Sequence, residues 1–202
     1  MIPMSSKKME IQSLEDFWQL LERLKLEPRR GWKEKLRLSH VESVADHSYG
    51  VAMLCLFQAW SRGGYDLERL LKLALIHDLD EAITGDLTPE DKRSLGLGEV
   101  LRRKRFAAKR IADSLPEKAR SDWLELWTDL RLRRSKEARL VKDMDQVEMA
   151  LQANAYSKGK VGKSRRPQVQ EFYDSALRGV KNRELRRVVE RIGGEKRVRP
   201  KR

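Results

Sequence analysis

The segment Ile76-His77-Asp78-Leu79-Asp80-Glu81 places ionisable side chains where a helical pattern requires apolar ones. The apolar residues before it follow the i, i+3, i+4, i+7 spacing of one helical face: Leu67, Leu70, Leu71 and Ala74. Continued along the chain, this face reaches His77, Asp78 and Glu81. Buried carboxylates and imidazoles are costly unless they are paired, hydrogen-bonded or bound to a cation, so the conflict predicts a functional site.

The earlier stretch Glu42-Ser43-Val44-Ala45-Asp46-His47 carries the same conflict. In the helix predicted here, Val44, Val51 and Leu54 define an apolar stripe whose missing member is His47. A second histidine is therefore expected to point inward, toward the core that the first segment also faces.

A late aspartate, Asp145, follows Ala138 and Val141 at helical spacing, on the edge of a third apolar face. His77 and Asp78 are adjacent and diverge by about 100 degrees on a helix, so other segments must help them converge on one ion. Two imidazoles and two carboxylates would form a borderline-to-hard donor set suited to Mn, Fe, Co, Ni or Zn. Alternatively, Asp145 is a carboxylate on a helix face that pairs with Lys142.

The composition is that of one domain with a strongly ionic surface, because 37% of the 202 residues are charged. No apolar stretch approaches the roughly 20 residues of a membrane span, and the first residues lack the apolar region of a secretion signal. The sequence thus predicts a cytoplasmic protein without membrane contact.

The net charge of +13 is concentrated near the C-terminus, where residues 157–202 hold sixteen Lys and Arg against five Asp and Glu. Phosphate neutralisation by Lys and Arg drives sequence-independent nucleic-acid binding. Only Phe172 and Tyr173 offer aromatic stacking in this region, which favours a solvated basic surface or a disordered end over a nucleic-acid site.

Helical periodicity without sustained two-residue alternation predicts an all-α protein. We expect a flexible N-terminus over 1–12, a main domain over 13–156, a basic loop and C-terminal helix over 157–194 that pack on it, and a disordered basic tail over 195–202. The predicted helices cover residues 13–26, 43–63, 66–83, 98–115, 116–130 and 135–156, with a last helix that ends near 192.

The order of three segments resembles the HD-domain metal-dependent phosphohydrolases, most closely their 5'-deoxynucleotidase branch. These segments are ESVADHS at 42–48, LALIHDLDEAITGDLTP at 73–89 and LVKDMDQVEMALQA at 140–153. The resemblance extends over residues 14–156 and implies an HD-domain helical bundle that forms a homodimer. It further implies one divalent transition-metal ion, with four ligands: His47, His77, Asp78 and Asp145.

The same resemblance assigns a catalytic role to Glu81, near the attacking water or the leaving oxygen, and links Asp86 to the sugar. The segment Pro28-Arg29-Arg30-Gly31-Trp32 resembles the family's Arg and Gly-Trp motif, which implies a phosphate-binding arginine and an aromatic wall for the nucleotide. Arg29 fits the motif spacing better than Arg30. For Trp32, a core position and the substrate wall remain open alternatives.

The implied activity is hydrolysis of nucleoside 5'-monophosphates, with 2'-deoxyribonucleotides preferred. Two alternatives stay open: an HD hydrolase of another nucleotide, such as a dNTP or an alarmone, and a nucleic-acid-binding or regulatory module that uses the basic C-terminal region. The chain departs from the family pattern at Arg103, Lys104 and Arg105, where acidic residues are common, and this leaves the substrate choice open.

Overall fold

The computed structural model describes residues 4–159, 161 and 163–194. Within these ranges the chain forms α-helices and no strand, which confirms the predicted all-α fold. The helices are α1 Met4–Leu26, α2 Arg30–Leu36, α3 Val44–Arg62, α4 Leu67–Ile76, α5 Glu81–Thr84, α6 Pro89–Ser114, α7 Glu117–Leu132, α8 Lys136–Gly159, α9 Arg166–Gly179 and α10 Arg183–Gly194. A short 3₁₀ turn, Lys163–Arg165, precedes α9.

Helix α8 lies at the centre of the larger core, with α3, α4, α9 and α10 packed against it. Its apolar face is almost completely buried: Ala138, Leu140, Val141, Met144, Val147, Ala150 and Ala153. Because α9 and α10 contribute Phe172, Tyr173 and Val189 to the same core, the basic C-terminal region as far as residue 194 packs on the rest of the molecule. The predicted tail over 195–202 lies outside the described residues.

A smaller core joins α1, α6 and α7 beside the start of α3. Its buried members are Leu20, Leu24, Val44, Leu79, Ala108, Ile111, Ala112 and Trp123. Trp123 satisfies its indole N–H by donating to the carbonyl oxygen of Ala108 at 2.9 Å. Helix α1 begins at Met4 and not at residue 13, so part of the segment expected to be flexible is helical.

The start of α3 is the local structure that the sequence indicates best. Ser43 is its N-cap and accepts from the backbone N–H of Asp46, while the Asp46 carboxylate accepts from the N–H of Ser43. This reciprocal pair is a capping box. The helix ends at Arg62, and its C-cap is Gly63, whose φ of 65° suits a residue without a Cβ.

The predicted helix over 66–83 is wrong at its C-terminal end, because α4 ends at Ile76. His77 turns its Nδ1 atom to the carbonyl oxygen of Ala74, at 2.8 Å, and satisfies a carbonyl that the helix end leaves open. Residues 77–80 then form a tight turn, with the N–H of Leu79 donating to Ile76 and that of Glu81 donating to Asp78. This turn brings His77 and Asp78 toward the same side, which a continuous helix would not do.

Three other boundaries differ from the predicted ones. The loop expected after Pro28 contains the short helix α2, and the single C-terminal helix is two helices joined at Val180. Helix α6 begins at Pro89 and not at 98, since Thr88 and Asp91 form a second capping box; Gly96, with a φ of 77°, interrupts it. Residue periodicity misses these features because caps and tertiary contacts decide them.

No helix in the described part of the chain combines the length and the apolar character that a membrane span requires.

Candidate active site

Four predicted side chains converge where α3, the end of α4 and α8 meet. The Nε2 atom of His47 lies 3.2 Å from Oδ1 of Asp145 and 3.4 Å from Nε2 of His77. Asp78 Oδ2 lies 3.3 Å from the His77 Nε2 and 3.8 Å from the His47 Nε2. One nitrogen or oxygen from each of His47, His77 and Asp145 falls within 4.8 Å of the others. His47, His77 and Asp145 can therefore share one cation, and Asp78 lies beside the Nε2 atoms of both histidines.

The outer nitrogens of both imidazoles are occupied by hydrogen-bond acceptors. His47 places Nδ1 2.6 Å from Oε2 of Glu148, and His77 places Nδ1 2.8 Å from the carbonyl oxygen of Ala74. A neutral histidine that donates from Nδ1 carries a lone pair on Nε2, so these contacts aim two lone pairs at one another. The arrangement fits a cation between the rings, with the outer acceptors fixing their orientation.

The charges of the site compensate one another. Burial and Arg29 oppose protonation of His47, but hydrogen bonds to Asp145 and Glu148 raise its pKa to about 10. A cation that binds Nε2 of His47 must therefore displace a proton from the ring. Burial also opposes ionisation of the two aspartates. The pKa of Asp78 nevertheless falls well below its usual range beside His77, and that of Asp145 falls through its hydrogen bond to His47. Both aspartates are therefore anionic donors at neutral pH.

Glu81 lies one turn beyond these residues, at the start of α5, and is 5% exposed. Its Oε2 atom has no hydrogen-bond partner among the residues that the structure describes, and the nearest cation is Nη1 of Arg29 at 3.9 Å. Burial and the neighbouring Asp78 raise the pKa of Glu81 well above its ordinary value. Glu81 therefore holds its proton to a higher pH than Asp78 does.

Arg29 and Arg30 face different environments. The Arg29 Nη1 atom lies 3.3 Å from Asp86 Oδ1, 3.7 Å from Asp78 Oδ2 and 3.9 Å from Glu81 Oε2. The Arg30 side chain turns outward to Glu34 and Asp91. Only the backbone N–H of Arg30 reaches the site, where it donates to Asp86 Oδ2 at 2.7 Å.

Asp86 links the segment around Arg29 to the turn after α5. Its carboxylate accepts from Arg29 and Arg30, and its backbone N–H donates to Oε1 of Glu27 at 3.0 Å. The N–H of Arg29 in turn donates to the carbonyl oxygen of Glu42, within an isolated bridge between Pro28 and Ser43. The segment before α2 is therefore held in place by backbone contacts.

Trp32 is buried, with 2% of its surface exposed, yet it also lines the cavity beside the site. Its ring centroid lies 3.9 Å from that of Phe172, and its indole N–H donates to Oε1 of Glu42 at 2.7 Å. Burial and Glu148 raise the pKa of Glu42 to about 7. The two alternatives for Trp32 are thus compatible: most of the ring is core, and an edge reaches the cavity wall.

A cavity of about 630 Å³ opens onto the convergent side chains. Its inner wall holds Asp78, Glu81, Asp86 and Asp145, and Arg29 lies among them. The rest of the lining includes six basic side chains, Lys35, Lys92, Arg93, Lys104, Lys142 and Arg178, and three further acidic ones, Glu90, Glu171 and Asp174. An anionic organic molecule would find basic side chains in the same cavity as the proposed metal ligands Asp78 and Asp145.

Lys104 is the one residue of the unusual basic stretch 103–105 that lines this cavity. Its ammonium group donates to Oδ2 of Asp80 at 2.8 Å. Burial opposes its charge, but Asp80, Glu81 and Asp78 raise the pKa of Lys104 above the usual value. This departure from the family pattern therefore adds a fixed positive charge beside Glu81.

Sequence reasoning missed Glu148, which holds the outer nitrogen of His47. Glu148 lies three residues after Asp145 on α8, so the two side chains share one face of the helix. This spacing is the feature of the sequence that could have identified Glu148. Gly50, one turn after His47 on α3, leaves room for the Glu148 side chain, because a Cβ at this position would lie only 3.1 Å from Oε1 of Glu148.

The fold and the site define a class of protein. The HD domain family matches residues 21–187, and the chain belongs to this family. The resemblance to its metal-dependent phosphohydrolases is thereby confirmed.

Individual relatives match over most of the chain. The human protein named 5'-deoxynucleotidase HDDC2 is 36% identical over 187 residues, which cover 92% of this chain and 87% of the human one. The protein of the same name from Danio rerio is 38% identical over 162 residues, covering 79% and 76% of the two chains. A solved structure of a conserved hypothetical protein from Pyrococcus furiosus has a TM-score of 0.67 at 34% identity, covering 89% of this chain and 96% of that chain.

Proposed function

We propose that this chain is a metal-dependent phosphomonoester hydrolase that releases phosphate from nucleoside 5'-monophosphates, with a preference for 2'-deoxyribonucleotides. The observation that carries the proposal is the cluster of two histidines and two aspartates beside a cavity whose lining includes Arg29 and six further Lys and Arg side chains. The names of the human and Danio rerio relatives support the choice of a deoxynucleotide substrate.

The residues that would hold the metal are His47, His77, Asp78 and Asp145. Two neutral imidazoles and two carboxylates suit one divalent ion of Mn, Co, Fe, Ni or Zn. When bound, such an ion supplies Lewis-acid chemistry, because it lowers the pKa of a water molecule and polarises a phosphoryl oxygen.

Arg29 would bind the phosphate. Burial opposes its charge, but Asp86, Asp78 and Glu81 raise the pKa of its guanidinium, which keeps it charged. A guanidinium can contact two phosphoryl oxygens at once, which orients the phosphorus and neutralises charge as the ester breaks. Asp86 holds Arg29 and would contact the sugar.

Glu81 would move the proton. Water attacks phosphorus, the bond from phosphorus to the 5'-oxygen breaks, and that oxygen must gain a proton to leave as an alcohol. Burial and the neighbouring Asp78 raise the pKa of Glu81, so its carboxyl group holds a proton to higher pH than an exposed glutamate and can donate it to the leaving oxygen. The carboxylate that remains can take up the proton that the attacking water releases. The products are a deoxynucleoside and inorganic phosphate.

We further propose a cytoplasmic homodimer as the working form. A nucleic-acid role of the basic C-terminal region has less support, because α9 and α10 use their apolar faces to pack on α8. A salt-sensitive gel shift that depends on residues 157–202 would favour that role.

The test is phosphate release by metal-stripped protein supplied with Mn, Co, Mg or Zn. The substrates are matched ribo- and deoxyribonucleoside monophosphates, the corresponding triphosphates and an alarmone. We expect metal-dependent release from monophosphates, faster with deoxyribose. Equal rates for both sugars would remove only the sugar preference, whereas activity confined to triphosphates or alarmones would replace the proposed substrate class.

A further inference from the structure

Helix α3 has a second face that the candidate active site does not use. Its exposed side carries large apolar side chains at helical spacing, and Tyr49, Phe57 and Trp60 are 67%, 63% and 70% exposed. Met53 is 43% exposed on the same side, and Leu56 is partly exposed. Isolated exposed apolar residues are common, but a continuous stripe marks an interaction surface. We call Tyr49, Met53, Leu56, Phe57 and Trp60 the α3 stripe.

The part of α3 that carries the stripe has no charged residues. Between His47 and Ser61 the sequence has no Lys, Arg, Asp or Glu, although 37% of the chain is charged. Tyr, Trp, Phe and Met are the residue types enriched at the centres of protein interfaces, while charged residues are depleted there. Both features are those of an interface core.

We propose that the α3 stripe is the surface on which a second copy of this chain docks, with the two α3 helices antiparallel about a twofold axis near Cys55. In that register Tyr49 faces Trp60 of the second copy, and Met53 faces its Phe57. The inference deepens the homodimer part of the proposed function, but it does not depend on the reaction.

The charge distribution favours a second copy of the chain as the partner, and an antiparallel orientation of the two α3 helices. Two copies that each carry a net charge of +13 repel one another, so a face without charge is the one through which they can approach. Apart from the buried His47, the charged residues of α3 are Asp46 and Arg62, at opposite ends; both are exposed, while Asp46 also caps the helix and Arg62 also pairs with Glu184. Antiparallel pairing brings Asp46 near Arg62 of the second copy and also aligns the helix dipoles favourably, whereas parallel pairing would bring like charges together.

The exposed apolar area of the α3 stripe is large enough for a specific interface between two copies. A fully buried aromatic side chain removes about 150–250 Å² from water, so three aromatics that are two-thirds exposed, with Met53 and Leu56, offer roughly 500 Å² per copy. Two copies would bury about 1,000 Å², which reaches the lower limit for a specific interface. The segment after Gly194 is a poor alternative cover, since it holds five Lys and Arg among eight residues.

The first test measures the mass of the full chain in solution by sedimentation at about 10 µM. We expect a dimer for the wild type and a monomer for Phe57→Glu, with a dissociation constant raised on the order of a hundredfold, because a carboxylate would be buried in an apolar contact. Phe106→Glu on α6 is the matched control, since Phe106 is 58% exposed, and it should remain dimeric. Circular dichroism confirms that each variant is folded.

A second test examines the antiparallel register with Met53→Glu and Phe57→Lys, each of which should be monomeric alone. An equimolar mixture should form a heterodimer, because the carboxylate introduced in one copy would then face the ammonium group introduced in the other. A monomeric wild type, a dimeric Phe57→Glu, a monomeric Phe106→Glu or a mixture that stays monomeric would overturn the proposal.

Binding of a monomer to anionic phospholipid vesicles through Phe57 would also overturn the proposal, because the stripe would then be a membrane surface. Phosphate release is measured separately on the same samples. Loss of activity and loss of the dimer are therefore distinguishable.

Discussion

Two groups of buried acids in this protein differ in how their charge is compensated. Asp129 and Asp143 lie in the helical framework, and their oxygens accept from backbone N–H groups. The acids that line the cavity are arranged differently: Asp78 and Asp145 lie beside two histidines, and Glu81 lies beside Asp78. Buried acids whose oxygens are hydrogen-bonded to backbone N–H groups stabilise the fold. Buried acids that are crowded together, with an oxygen left unpaired, indicate a functional site.

The framework acids connect helix ends. Asp129 accepts from the N–H of Ser135 at 2.8 Å and pairs with Arg69, which joins α7 to α8 and α4. Asp143 accepts from the N–H groups of Lys181 and Asn182 at 2.7 and 3.0 Å, where α9 gives way to α10. Their removal should therefore lower stability.

The site acids instead lie beside one another, the two imidazoles and Arg29. Glu81 leaves one oxygen without a hydrogen bond among the described residues, and Asp78 lies within 4 Å of both imidazoles and of Arg29. Holding these charges together costs free energy in the absence of a cation. Their removal should therefore reduce activity more than stability.

The largest effect is expected for Asp78→Ala. This change removes one of four donors, so we expect metal affinity to fall on the order of a hundredfold or more and turnover to fall about a thousandfold. Metal content after dialysis and phosphate release measure the two losses. Full metal-dependent activity in this variant would show that Asp78 is not a ligand.

A smaller effect is expected for Glu81→Ala. The four proposed ligands remain, so metal content should be unchanged, while the loss of a proton donor lowers turnover about a hundredfold. Because a crowded buried carboxyl is removed, the free energy of unfolding of the metal-free protein should not fall. Loss of metal together with turnover would instead place Glu81 among the ligands.

The smallest effect is expected for Asp129→Asn and concerns stability alone. Burial opposes ionisation of Asp129, but the Ser135 N–H and Arg69 lower its pKa below the ordinary value. The folded form of the wild type thus gains stability above the unfolded pKa of about 3.9 and loses it as pH falls through the lower, folded pKa. We expect the variant to lose about 1–2 kcal/mol at pH 7.

Urea unfolding at several pH values tests whether the stability that Asp129 contributes is lost as the pH falls. The difference between wild type and Asp129→Asn should be constant near neutrality and shrink below about pH 4. Turnover at pH 7 should be unaffected, since Asp129 does not line the cavity. A difference in stability that is the same at every pH would contradict an ionised Asp129 in the folded state.

The sequence predicts the parts of this molecule that depend on local pattern. Apolar periodicity indicates the all-α class, Ser43 and Asp46 mark the start of α3, and the order of His47, His77 and Asp78 indicates the family. The break after Ile76 was missed because it depends on where the His77 ring finds an acceptor. Glu148 was missed because its role depends on the approach of α8 to α3 at Gly50, a tertiary contact that one sequence does not display.

The central claim is that His47, His77, Asp78 and Asp145 hold one divalent ion. Anomalous diffraction at the metal edge, from crystals grown with the ion that best supports activity, tests it most directly. We expect a single strong peak about 2.0–2.3 Å from Nε2 of both histidines and from one oxygen of each aspartate. A peak held instead by Glu42 and Glu148, or no peak in active protein, would contradict it.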